Sequence, residues 1–137
     1  MIECGGLWTR PSALVRTHHF IGEGDFSGRL LAASDDPAGL LAVVAAAVDE
    51  AGLQVVADQA VPFTGGGATL VWVLAESHLV LHLWPELGRA TVDLHVCDYR
   101  ASNRAKANRL RDALAALCFA PGSGAWQEVT INPADYG

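Results

Sequence analysis

Three short segments rich in Val, Leu, Thr and Trp follow one another in the middle of the chain, with only brief interruptions between them. They cover residues 68–75, 79–84 and 89–97. β-Branched and aromatic residues favour strands, and interruptions this short join antiparallel neighbours. The segments therefore predict a three-stranded antiparallel meander, and the rest of the chain has to pack around it.

The flanking sequence predicts two helices and three further strands. Asp36 followed by Pro37 is a favourable helix start, and Gly52 is a favourable stop. A second helix is expected to begin at the capping pair Ser102-Asn103 and to end before Pro121. Residues 25–34 show no pattern that assigns them. The further strands are expected at 15–21, 53–63 and 125–131.

This order of elements, β-α-β-β-β-β-α-β with mostly hairpin connections, predicts an α+β fold. We expect a two-layer sandwich in which a mainly antiparallel sheet carries both helices on one face. The other face would be uncovered, so pairing of two sheets predicts a homodimer or higher oligomer with αββα layers. A single domain is expected over residues 1–137, with 1–14 as a flexible arm.

The charge pattern limits the partners. The net charge is −6 and there is no basic cluster, which argues against nucleic acid and against an anionic membrane surface. Residues 30–88 contain seven carboxylates and no Lys or Arg, which would suit a small cationic substrate. The apolar run 40–48 is too short to span a bilayer, and the N-terminus has no signal-peptide pattern.

Cysteine usage points to a reducing compartment. Cys4, Cys97 and Cys118 are an odd number at irregular spacing and form no CxxC pair. Neither a disulfide framework nor a zinc site follows from this spacing, so a cytoplasmic location is expected.

Polar residues interrupt the predicted meander where a plain hairpin would carry Gly, Asn or Pro. Glu76, Ser77 and His78 separate the first two strands, and His82 lies within the second. Because polar residues placed against local preference tend to mark functional sites, this segment is the candidate site. A serine hydrolase is one interpretation, but no G-x-S-x-G elbow surrounds Ser77.

Two other interpretations remain open from the residues alone. His78 and His82 would share one face of a strand, as metal ligands could, but His95 lies on another strand and no matched carboxylate accompanies them. No metal is therefore expected. Alternatively, these residues are hydrogen-bonded turn and core residues without chemistry.

Three spaced motifs resemble the signature of the prokaryotic S-adenosylmethionine decarboxylase proenzyme family. That family carries E-S-H, an apolar strand, H-x-W-P-E and then V-D-L-x-x-C. Phe63 and Thr69 stand where it has an aromatic and a small hydroxyl residue. The specific part of the resemblance runs from 63 to 97. The motifs in this chain are Glu76-Ser77-His78, His82 to Glu86, and Val92-Asp93-Leu94 to Cys97.

The resemblance implies self-processing. The Ser77 hydroxyl would attack the carbonyl of Glu76, and elimination would leave a pyruvoyl group at position 77 as the self-generated cofactor. His82 is implied as the proton acceptor in this step, and Thr69 as a group that polarises the reacting carbonyl. The pyruvoyl carbonyl would then bind the substrate amine as a Schiff base and accept electrons during loss of CO2.

The resemblance also implies the remaining roles. Cys97 would be the general acid that returns a proton to the α-carbon, since a thiol titrates near neutrality. Phe63 would stack on adenine, and Glu86 would accept hydrogen bonds from the ribose hydroxyls. The implied activity is that of a carboxy-lyase that serves polyamine synthesis.

The chain departs from the family around the expected substrate pocket. Leu83 replaces the usual Thr of the H-T-W-P-E motif, and His95-Val96-Cys97-Asp98 replaces Phe-Thr-Cys-Gly. A basic amino acid such as ornithine or arginine is therefore an alternative substrate, and the use of an activator such as putrescine stays open. A non-catalytic homologue that binds or pairs with an active subunit is the other alternative. The intact Ser77, His82 and Cys97 argue against it.

Overall fold

A computed structural model describes residues 15–99 and 101–132 of the chain, so the expected arm and Cys4 lie outside the described residues. The elements are β1 (Thr17–Asp25), α1 (Gly28–Ala33), α2 (Pro37–Glu50), β2 (Val55–Pro62), β3 (Ala68–Leu74), β4 (Ser77–Trp84), β5 (Arg89–Cys97), α3 (Arg104–Cys118) and β6 (Ala125–Ile131).

The six strands form one sheet in the order β2-β3-β4-β5-β1-β6, and every neighbouring pair is antiparallel. The expected meander is confirmed as β3-β4-β5. Strand β1 pairs along its whole length with β5, with Thr17 opposite Cys97 and Asp25 opposite Arg89. This pairing brings the N-terminal strand beside the end of β5.

The helices cover one face of the sheet, and the core lies between the two layers. Helix α2 contributes Leu40, Val44 and Val48 to this core, and α3 contributes Leu110 and Leu114 among others. Opposite them, alternate residues of β3, β4 and β5 are almost fully buried. The α+β class with helices on one face is confirmed.

Three local expectations were wrong. Residues 25–34 contain the short helix α1, so there are three helices rather than two; fewer than two turns show no readable period. Strand β1 runs to Asp25 instead of ending at Ile21. Gly22 lies within this strand, and its lack of a side chain leaves space for the Trp126 ring. A Cβ at this position would lie 2.8 Å from that ring. Asn103 precedes α3 as expected, yet its side chain makes no capping hydrogen bond.

The other face of the sheet has no helix over it within the described residues. We call it the open face. Alternation along the strands gives it several apolar side chains, of which Ile21, Val73 and Val129 are each more than 40% exposed. It also carries His19, His78, His82 and His95. None of the described helices is long and apolar enough to cross a membrane.

Candidate active site

The peptide expected to be cleaved lies in the turn between β3 and β4. Glu76 has φ 66°, and it is the one non-glycine residue with a positive φ in the described ranges 15–99 and 101–132. The left-handed region costs an L-residue roughly 1–2 kcal/mol, so the turn holds Glu76 in a strained conformation. Ser77 follows directly as the first residue of β4.

Ser77 contacts the expected general acid through the backbone. The N–H of Cys97, the last residue of β5, donates to Ser77 Oγ at 3.2 Å. Cys97 is 8% exposed, and its carbonyl accepts a hydrogen bond from Asn103 Nδ2 at 2.9 Å. We call Ser77, Cys97 and the residues bonded to them the serine end of the sheet. Nothing in the sequence singled out Asn103 beyond its expected capping role.

A second group of expected residues lies at the other end of the same strands. Thr69 Oγ1 and His82 Nδ1 form a hydrogen bond at 2.8 Å, and the two residues are direct partners in the β3–β4 register. Both line a cleft of about 400 Å³ together with Phe63 and Trp84. The rings of His82 and Trp84 lie 6.3 Å apart. We call these four residues the cleft end.

Glycines shape the entrance to the cleft. The loop between β2 and β3 contains three consecutive glycines with positive φ, at positions 65, 66 and 67. A Cβ on Gly67 would lie 2.7 Å from the Leu83 carbonyl oxygen, so only glycine allows this loop to approach β4. Phe63 precedes the loop and is 51% exposed. Trp84, which belongs to the H-x-W-P-E motif but was assigned no role from the sequence, is the second aromatic wall.

Glu86 lies in the turn between β4 and β5 and is exposed. This turn follows directly from the cleft end of β4, because Glu86 is two residues beyond Trp84. Its carboxylate is not among the groups that line the cleft of one protomer.

The two ends are too far apart to act together within one chain. Ser77 and His82 are five residues apart on one strand, which corresponds to roughly 16 Å at the usual rise per residue. Ser77 pairs with Leu74 beside the β3–β4 turn, whereas His82 pairs with Thr69 far from it. The structure therefore brings Ser77 to Cys97 and His82 to Thr69, but it does not bring the two pairs together.

Three histidines form a row across the open face near the serine end. The His95 ring lies 5.0 Å from that of His78 and 5.5 Å from that of His19, on the two neighbouring strands. Burial, and then the nearby His78 and His19, lower the pKa of His95, while Asp93 acts in the opposite direction. Despite this row, no group of three or more His, Cys, Asp or Glu in the described part of the chain could hold a metal ion.

Comparison with known proteins places this site in a family. A family model described as S-adenosylmethionine decarboxylase matches residues 18–118. The chain belongs to that family. The matched range includes every site residue named above, at both the serine end and the cleft end.

Individual family members match over shorter stretches. The S-adenosylmethionine decarboxylase proenzyme of Symbiobacterium thermophilum is 35% identical over 89 residues, which cover 61% of this chain and 67% of that protein. That of Pyrobaculum aerophilum is 43% identical over 63 residues, which cover 45% of this chain and 50% of that protein. The chain thus spans about half the length of the Pyrobaculum relative.

The solved structure of the adenosylmethionine decarboxylase from Aquifex aeolicus has the same fold. It superposes with a TM-score of 0.64 over 85% of this chain and 88% of that chain, at 24% identity. At this level of identity the superposition supports the fold, and the roles of individual residues have to be argued from their own geometry.

Proposed function

We propose that this protein is a self-processing, pyruvoyl-dependent decarboxylase of S-adenosylmethionine. The observation that carries the proposal is the arrangement at the serine end. A hydroxyl held at 3.2 Å by the Cys97 N–H directly follows Glu76, which has φ 66°. A strained peptide beside an oriented nucleophile is what an acyl shift from nitrogen to oxygen requires.

Processing starts with attack of Ser77 Oγ on the carbonyl carbon of Glu76. The Glu76–Ser77 C–N bond then breaks, which leaves an ester and a free amine on Ser77. Loss of the Ser77 α-proton breaks the Cβ–Oγ bond, so the oxygen departs with the new carboxylate of Glu76. The dehydroalanine at position 77 becomes an imine, which water converts to the pyruvoyl carbonyl with release of ammonia.

The pyruvoyl group would supply an electrophilic carbonyl that takes the substrate amine and accepts the electrons released with CO2. Its position suits that chemistry, since it replaces Ser77 beside the buried Cys97. Cys97 would deliver the proton to the α-carbon. The aromatic walls of the cleft, Phe63 and Trp84, would take a flat ring. An adenine supplies such a ring, whereas ornithine and arginine have none, which favours S-adenosylmethionine.

A second copy of the chain would complete the site. Because Ser77 and His82 lie roughly 16 Å apart along β4, we infer that His82 serves as the proton acceptor for the Ser77 of a second copy. Two open faces paired about a two-fold axis perpendicular to the strands would place the serine end of one protomer opposite the cleft end of the other. Such a dimer would also cover the exposed apolar residues of the open face. Thr69 and His82 would then act on the partner's Ser77, and Phe63 and Glu86 would bind the substrate held there.

Intact mass under denaturing conditions tests the proposal. The purified chain should separate into residues 1–76 and 77–137, and the second fragment should lack a free α-amine and react with carbonyl reagents. Ser77→Ala is the matched control and should stay whole. The processed protein should release CO2 from S-adenosylmethionine and not from ornithine or arginine.

Two results would count against this function. A wild-type chain that stays uncleaved after prolonged incubation would remove the pyruvoyl mechanism and favour a non-catalytic homologue. A cleaved protein that decarboxylates a basic amino acid instead would keep the mechanism and overturn the substrate.

A further inference from the structure

A buried histidine and a carboxylate pair at the end of β5, beside Cys97. His18 is 1% exposed, and its Nε2 lies 3.0 Å from both carboxylate oxygens of Asp98. The Asp98 side chain is itself 11% exposed. On the other side of the ring, Nδ1 lies 3.4 Å from Arg104 Nη1. Because a guanidinium can only donate, Nδ1 accepts and the Nε2–H points to Asp98.

A continuous chain of hydrogen bonds leads from this pair to the reactive groups. Asp98 Oδ1 accepts from the backbone N–H of Asn103 at 2.8 Å. Asn103 Nδ2 donates to the Cys97 carbonyl at 2.9 Å, and the Cys97 N–H donates to Ser77 Oγ at 3.2 Å. The Asp98 N–H is bonded to the Arg16 carbonyl at 2.8 Å, so residue 98 is also held through its backbone.

We propose that His18, Asp98 and Asn103 are positioning residues that fix the Cys97 peptide, and through it the Ser77 hydroxyl before cleavage and the Cys97 thiol afterwards. This inference rests on the proposed function. Asp98 directly follows Cys97 in the chain, so it is joined to the peptide that it helps to fix.

The placement of Asn103 separates this role from simple helix capping. Asn103 stands at the N-cap position of α3, where an Asn side chain ordinarily accepts a hydrogen bond from the first turn. Here it makes no such bond and donates to Cys97 instead. The capping interaction is therefore replaced by one that ends on the reactive strand. A displacement of 1 Å between reacting groups can lower a rate about 100-fold, so a fixed Cys97 peptide matters at both stages.

Asp98→Asn is the central test, because it keeps the shape and one acceptor oxygen but removes the charge that faces His18. Asn103→Ala removes the bond to the Cys97 carbonyl and leaves the His18–Asp98 pair in place. Arg109→Gln is the matched control, since it removes a hydrogen bond from α3 to the Ala51 carbonyl without touching this chain of bonds.

The rate of self-cleavage would be followed by intact mass, and kcat and KM for S-adenosylmethionine would be measured per mole of pyruvoyl group. Melting temperature would be recorded for every variant. Both test variants should slow cleavage and lower kcat by about 10- to 100-fold, with KM changed less than about twofold. Arg109→Gln should cleave and turn over like the wild type, even if its melting temperature falls as much as that of the test variants.

Wild-type cleavage and kcat in Asn103→Ala, together with a lowered melting temperature, would overturn the positioning role. Wild-type cleavage and kcat in a folded Asp98→Asn variant would overturn it as well. If Asp98→Asn does not fold, the result for Asn103→Ala decides whether the positioning role stands. A wild-type chain that never cleaves would instead remove the proposed function, and the positioning role with it.

Discussion

The two ends of the sheet are built in opposite ways. At the serine end, Ser77 and Cys97 are held by a series of hydrogen bonds, Cys97 is 8% exposed, and His18 behind them is almost fully buried. At the cleft end, Phe63 and Trp84 are 51% and 44% exposed, and one hydrogen bond links Thr69 to His82. The residues of the serine end are thus held in place, whereas the aromatic residues of the cleft end lie open to solvent.

This difference suits the two ends to different tasks, bond formation at the serine end and ligand binding at the cleft end. A bond-forming centre needs atoms held within a fraction of an ångström, which buried hydrogen bonds provide. A binding surface for a flat ring needs accessible aromatic faces, which exposure provides. We propose that the complete site needs both ends and therefore a dimer, because the two ends lie roughly 16 Å apart within one chain.

The strongest test mixes two inactive variants. Ser77→Ala and His82→Ala should each stay uncleaved when expressed alone. In a mixed dimer, the intact Ser77 of the His82→Ala chain would face the intact His82 of the other, so about half of the His82→Ala chains should cleave after random pairing. Intact mass of the co-expressed chains measures this. Complete absence of cleavage in the mixture would break the two-protomer site.

Cys97→Ala separates processing from turnover at the serine end. It should cleave normally, because cleavage uses Ser77 and His82, but kcat should fall by roughly two to four powers of ten, the usual contribution of one positioned general acid. Cys118→Ala is the matched thiol control. Cys118 is fully buried, and burial raises its pKa to about 12, so its removal should leave kcat unchanged. Near-wild-type kcat in Cys97→Ala would contradict the assigned role.

Phe63→Ala should affect binding at the cleft end and leave the serine end intact. Loss of one stacking ring should raise KM for S-adenosylmethionine about tenfold, with normal cleavage and little change in kcat. Because the Phe63 side chain is half exposed, the free energy of unfolding should change little. Steady-state kinetics and thermal unfolding would measure the two effects. An unchanged KM in Phe63→Ala would show that Phe63 does not contact the substrate.

The smallest expected effect is a pH dependence of stability that comes from His95. Its folded-state pKa lies below the usual histidine value of about 6.5, so the unfolded chain binds the proton more readily. The stability that neutral His95 contributes is present above 6.5 and is lost as pH falls through the folded-state pKa. The groups that face it are His19, His78 and Asp93.

Denaturant unfolding between pH 5 and pH 8, done on His95→Phe and on the wild type, measures this contribution. As pH is lowered, the free energy of unfolding should fall less in the variant than in the wild type. An identical decline in both proteins would assign it to other groups.

Local features of this protein follow from its amino-acid sequence. Strands β5 and β6 have the bounds that their composition predicted, and α2 starts and stops at the expected Asp36, Pro37 and Gly52. The resemblance of three spaced motifs to a known signature indicated the family, which the family model confirmed. These features depend on alternation, capping and the order of side chains, all of which act between neighbours in the chain.

Which of these residues meet depends on the tertiary structure. It put β1 between β5 and β6, and so brought His18 beside Asp98, 80 residues away. It also separated His82 from Ser77, although five residues of sequence suggested one site. Contacts of this kind follow from strand register and from the extended rise of a strand, which no local pattern encodes. For that reason Asn103 was expected to cap a helix and was found bonded to Cys97.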